Sequence, residues 1–172
     1  RGLGDVYKRQ YARDKDAPVA VMCLCEAAAY CKSQGITLWD HMLDLYEKYG
    51  YYKEGLYTIT LKGVTGAEKI RKIMSSLRAE SLTQIDTLKV RDYEKNTITD
   101  LATGEVTESG LPQSNVLYYD LEDGAWACVR PSGTEPKIKL YYGIKGTSLD
   151  DADAKLGALQ TALVEKLNKL AE

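Results

Sequence analysis

The segment Arg130-Pro131-Ser132-Gly133-Thr134-Glu135-Pro136-Lys137 brings a guanidinium, two hydroxyls, a glycine and an ammonium together. These groups can surround a dianion. Arginine offers a planar fork of donors. Serine and threonine hydroxyls donate one hydrogen bond each. Glycine lets a ligand approach the backbone and lets amides turn towards it, as in an anion-binding nest. Two prolines restrict the turn. Strand-like sequence flanks it, Ala125 to Val129 before and Ile138 to Tyr142 after. Lys139 follows Lys137 at period two, so both ammonium groups belong to one strand face. The same residues would also make a plain polar hairpin, because Gly and Pro punctuate turns generally.

Other constellations carry less. Tyr11-Ala12-Arg13-Asp14-Lys15-Asp16-Ala17 is a dense charge cluster and on its own reads as solvated surface. His41 stands alone as the single histidine, between Asp40 and Asp44, and reads as part of a solvated helix face. A multi-histidine metal site and a histidine-based triad therefore lack sequence support. The four cysteines are Cys23, Cys25, Cys31 and Cys128. Without a second Cys or His pair at zinc spacing, they read as small buried hydrophobes in a reducing cytosol. No Walker-type loop ends in Gly-Lys-Ser/Thr. Trp39, Trp126 and the thirteen tyrosines lack the basic interleaving of a nucleic-acid platform and read as core and interface.

The elements that must position these groups follow from periodicity. Asp16 caps a helix with Pro18 in its first turn. Val19, Val21, Met22, Leu24 and Ala27 to Ala29 make that helix apolar nearly all round, which predicts burial inside a larger domain. Thr37 to Asp40 is a variant capping box, and Trp39, Met42, Leu43 and Tyr46 follow helical spacing up to about Tyr49. Residues 51–55, between Gly50 and Leu56, read as a linker and hinge. A strand is expected over Leu56 to Leu61. A capped helix from Thr65 follows, with the apolar stripe Ile70, Ile73, Met74 and Leu77. Further strands are expected near Ile85 to Tyr93, Val116 to Leu121, Ala125 to Val129 and Ile138 to Ile144. Glu122-Asp123-Gly124 is a hairpin turn signal. Glu94 to Asn115 reads as polar and irregular. A last helix starts near Ser148, with Leu156, Leu159, Leu163, Leu167 and Leu170 along one side. This order predicts an α+β fold with a mostly antiparallel sheet and helices on one face.

Bulk properties bound the function. The chain has 172 residues, 44% of them hydrophobic, and a formal net charge of -2. That charge argues against a nucleic-acid surface. No run of about 18 apolar residues predicts a membrane span. No secretory signal is apparent, and a cytoplasmic location is expected. Arg1 to Gln10 show neither helical nor strand periodicity and no start methionine. They resemble adapter-derived sequence at the ends of assembled gene fragments and are set aside as a non-native scar.

Arg130 to Lys137 resemble the phosphate-binding loop in the last domain of the α-D-phosphohexomutases, the phosphoglucomutase and phosphomannomutase family. Tyr11 to Ala17 resemble that family's Arg-x-Lys-Asp-Gly/Ala segment, and the two occur in the family's order. The resemblance covers residues 11–172. It implies that residues 11–50 are the end of a third domain and residues 56–172 a fourth, TATA-binding-protein-like domain. It implies that Arg130, Ser132, Gly133 and Thr134 hold the substrate phosphate that does not react. Lys139 matches a position where some branches carry an arginine ligand, and lysine offers a point charge in place of a fork. Lys15 would place positive charge near the transferring phosphoryl group, with Arg13 nearby. The implied activity interconverts glucose 1-phosphate and glucose 6-phosphate. The alternatives are mannose, glucosamine or pentose phosphate mutases, and a stand-alone phosphate-binding module. The family uses a phosphoserine, magnesium and glucose 1,6-bisphosphate. Neither the phosphoserine loop nor the metal loop occurs here, so the chain is expected to be a C-terminal fragment, inactive alone and partnered by its missing domains.

Overall fold

The computed structural model describes residues 16–61, 65–80, 85–133 and 135–171. The chain divides into two compact units between Tyr49 and Gly50.

The first unit is two helices, α1 (Ala17–Ser33) and α2 (Leu38–Tyr49). Asp16 caps α1 by accepting the amide of Val19 at 3.0 Å, with Pro18 in the first turn. A reciprocal capping box starts α2. The Thr37 amide donates to the Asp40 carboxylate at 2.8 Å, and the Asp40 amide donates to the Thr37 hydroxyl at 3.1 Å. The expected burial of α1 is not seen among the described residues. Val21, Met22 and Leu24 are 60–67% exposed, and Cys31 is the one buried residue of the helix. An apolar surface is buried only if another element covers it, and no other described element of this unit covers this one.

The second unit is a seven-stranded antiparallel sheet with two helices, matching the expected α+β class. In chain order the elements are β1 (Tyr51–Thr60), α3 (Gly66–Glu80), β2 (Thr87–Asp92), β3 (Thr97–Asp100) and β4 (Val106–Glu108), then β5 (Leu117–Leu121), β6 (Trp126–Pro131), β7 (Lys137–Gly146) and α4 (Leu149–Ala171). The spatial order is β1-β7-β6-β5-β2-β3-β4. Asp123 and Gly124, both at positive φ (54° and 73°), turn the chain between β5 and β6, as an Asp-Gly signal demands.

Core residues come from one sheet face and both helices. They include Ile73, Met74 and Leu77 of α3, Leu140 and Tyr142 of β7, and Leu163 and Leu167 of α4. The apolar stripes expected on both helices therefore face the sheet. Alternation along β7 puts Ile138, Leu140, Tyr142 and Ile144 in the core and Lys137, Lys139 and Tyr141 on the opposite, open face.

Three further expectations are corrected. Residues 51–55 are no linker: they form the first half of β1, paired with Gly146 back to Tyr142 in β7. Glycine at 55 serves packing there, since the Tyr142 ring occupies the place its Cβ would take. The region 94–115 is not wholly irregular either. It contains β3 and β4, and Arg78 pins it through Asp92 at 3.1 Å, Glu94 at 2.8 Å and Asn115 at 2.6 Å. The cysteine reading holds for Cys31 alone, because Cys25 is exposed and Cys23 and Cys128 are half-buried.

Candidate functional site

The phosphate-loop candidates sit where β6 hands over to β7. Arg130 lies on β6 directly opposite Lys139 on β7, and Thr58 on β1 lies opposite Lys139 on its other side. Partners in an antiparallel register share a face. Thr58, Lys139 and Arg130 therefore form one row across three strands of the open face.

Three backbone hydrogen bonds close the loop. The Ser132 amide donates to the Lys137 carbonyl at 2.8 Å, and the Lys137 amide donates to the Glu135 carbonyl at 2.7 Å. The Leu61 amide donates to the Pro136 carbonyl at 2.9 Å, which ties the loop to the end of β1. The Ser132 amide is thus consumed by the turn, and its hydroxyl is the group it can offer outward. Gly133 is exposed, and a Cβ there would meet nothing within 4 Å. Its φ is not in the left-handed region. Neither a close neighbour nor a positive φ requires glycine at 133, and the lack of a side chain leaves the backbone there open to approach.

Electrostatics single out two cations. On the open face Lys89 pairs with Asp100 at 3.4 Å, and Arg91 grips both oxygens of Asp120 at 2.7 and 2.8 Å. The Lys145 ammonium lies 5.4 Å from the Tyr52 ring centroid. Lys137 reaches back to Glu135 at 3.0 Å. Arg130 and Lys139 have no ion-pair or hydrogen-bond partner among the described residues, although they are cross-strand neighbours. Like charges in register repel. An anion bound between them removes that cost. Burial pushes the neighbouring Cys128 thiol above its ordinary value, and the Arg130 charge opposes the shift.

Of the sequence candidates, Arg130, Ser132, Gly133 and Lys139 come together at this turn. Thr134 and Lys15 lie outside the described residues, as do Arg13 and residues 1–10. Thr58 was missed. Its signal exists only in the β1–β7 register, because nothing in Tyr57-Thr58-Ile59 marks it as a neighbour of Lys139. Among the described residues no group of three His, Cys, Asp or Glu side chains can hold a metal ion.

Residues 66–155 match the phosphoglucomutase/phosphomannomutase C-terminal domain. The chain belongs to that family. It is 37% identical over 143 residues to a phosphoglucomutase of Staphylococcus saprophyticus, covering 81% of this chain and 26% of the relative. It is 35% identical over 152 residues to a phosphoglucomutase of Staphylococcus aureus, covering 87% and 27%. The chain thus spans about a quarter of the length of these curated relatives. Among solved structures it is similar to the open form of parafusin, a phosphoglucomutase from Paramecium. That likeness has a TM-score of 0.57 at 15% identity and covers 92% of this chain and 28% of the other. At that identity it supports the fold alone.

Proposed function

We propose that this chain is the phosphate-gripping C-terminal part of a phosphoglucomutase-like enzyme. The proposed reaction moves a phosphoryl group between the C1 and C6 hydroxyls of glucose. The observation that carries the reading is the side-by-side placement of Arg130 and Lys139, unpaired among the described residues, at the mouth of the Ser132–Gly133 turn. Arg130 would clamp two oxygens of the phosphate that does not react. Lys139 would add a point charge, and the Ser132 and Thr134 hydroxyls would fill the remaining acceptor sites. Gly133 would let the phosphate reach the backbone. Holding one end of the substrate fixes where the other end can react, so the loop contributes positioning.

Magnesium and glucose 1,6-bisphosphate belong to the proposal through the family. Lys15 is proposed to face the transferring phosphoryl group. A cytoplasmic setting is supported by the four free cysteines. No helix among the described residues is long and apolar enough to cross a membrane.

The test is an amide-shift titration of the chain with glucose 6-phosphate. Saturable shifts centred on Ser132 and Gly133, weakened in Arg130→Ala and Lys139→Ala, are expected. Shifts absent from the turn, or unchanged in both variants, would overturn the reading.

A further inference from the structure

Gly66 opens α3 and is buried, yet its backbone is not in the left-handed region. Any residue could adopt its angles. What excludes a side chain there is space. A Cβ at 66 would fall less than 3.0 Å from the Leu61 carbonyl oxygen and 3.2 Å from Cβ of Pro136. Both neighbours belong to the clasp that holds the candidate phosphate loop. The Leu61 amide donates to the Pro136 carbonyl at 2.9 Å. Pro136 closes the turn that starts at Ser132, whose amide is held by Lys137 at 2.8 Å. The first turn of α3 is therefore packed against both the Leu61 carbonyl and Pro136 of the loop.

Neither neighbour can yield at low cost. The Leu61 carbonyl is backbone at the end of β1, which is hydrogen-bonded along its whole length to β7. The Pro136 ring is rigid. On the other side, α3 is held in the core by Ile70, Ile73, Met74 and Leu77. A methyl group at 66 must then displace Leu61 and Pro136. Because Leu61 and Pro136 share a hydrogen bond, they would move together and carry the turn with them.

We infer that Gly66 is a positioning residue for the phosphate-binding turn: its missing side chain lets α3 brace Leu61 and Pro136 so that Ser132 and Gly133 meet the phosphate. The inference rests on the phosphate-binding reading above. It asks for no contact between Gly66 and the ligand. Helix propensity alone gives the opposite expectation, since alanine favours a helix over glycine.

The test compares Gly66→Ala with Gly157→Ala in the 172-residue chain. Gly157 lies in α4, where a Cβ meets nothing within 4 Å. Amide shifts at Ser132 and Gly133 are followed during titration with glucose 6-phosphate, at a temperature where melting curves show each variant folded. The expected result is a dissociation constant about tenfold or more weaker in Gly66→Ala. Amide exchange at Leu61 should also be faster there, and Gly157→Ala should match the unsubstituted chain. Unchanged affinity in folded Gly66→Ala overturns the inference. If Gly66→Ala does not fold, Pro136→Gly reads the same brace, since it removes the ring beside Gly66 and no phosphate ligand. Retained affinity in that variant overturns the inference as well. Absence of glucose 6-phosphate binding in the unsubstituted chain is a separate outcome and refutes the phosphate reading itself.

Discussion

Arg130 is the residue on which most depends. Charge-assisted hydrogen bonds contribute about 1.5–3 kcal/mol each, so Arg130→Ala should weaken glucose 6-phosphate binding roughly ten- to a hundredfold. Arg130→Lys should recover little of it, because the ammonium cannot span two phosphate oxygens. Calorimetry of the two variants decides this, and equal affinities would reduce the turn to a plain hairpin. Cys128, one strand step behind Arg130 on the open face, gives a pH prediction. Burial raises its pKa, so its thiolate is scarce at neutral pH. Iodoacetamide should label the exposed Cys25 first at pH 7.5, and labelling of Cys128 should need a pH above the ordinary thiol range. Mass spectrometry of the labelled peptides follows both rates; early labelling of Cys128 would contradict the shift.

At the scale of elements, β1 decides how the phosphate turn is braced. It pairs with β7 along all ten residues and delivers Leu61 to the loop. Residues 51–55 should therefore show hydrogen-exchange protection comparable with the middle of β7, and rapid exchange there would restore the hinge expected from sequence. The start of α4 carries a second prediction. The Asp151 carboxylate accepts the Thr147 amide at 2.8 Å and meets Lys155 at 3.2 Å, which holds it below the usual carboxylate range. A depressed carboxylate stabilises the fold above its unfolded pKa, and that contribution is lost as pH falls through the folded pKa. The stability gap between the chain and Asp151→Asn, read from urea midpoints, should be widest near neutrality and close below about pH 4. A gap that persists at pH 2 would exclude the charged cap as its source.

For the whole molecule, binding and turnover are expected to separate. The described residues hold a candidate phosphate clamp but no metal-ligand cluster, and the match covers about a quarter of the related phosphoglucomutases. The chain alone should bind sugar phosphate without interconverting glucose 1-phosphate and glucose 6-phosphate. A coupled assay with glucose 1,6-bisphosphate checks this; turnover that survives removal of contaminating mutase would count against it.

The fold was largely legible because its signals are local. The stripe Ile70, Ile73, Met74 and Leu77 states a helix and its buried face at once, and period two in Ile138 to Ile144 states a strand with a core side. The Arg130 to Lys137 chemistry was legible for the same reason: its groups are neighbours in the chain. What misled was punctuation. Gly55 looked like a flexible joint, but Tyr142 fills the space its side chain would need, and Tyr142 is remote in sequence. Gly66 looked like part of a helix cap, and only the approach of Leu61 and Pro136 shows why it has no side chain. The row Thr58, Lys139 and Arg130 exists because β7 lies between β1 and β6, an order no single segment encodes. Composition and periodicity determined which groups are present and which face of each element is apolar. Long-range strand register and close packing decided which groups become neighbours, because those depend on pairs of residues far apart in the chain.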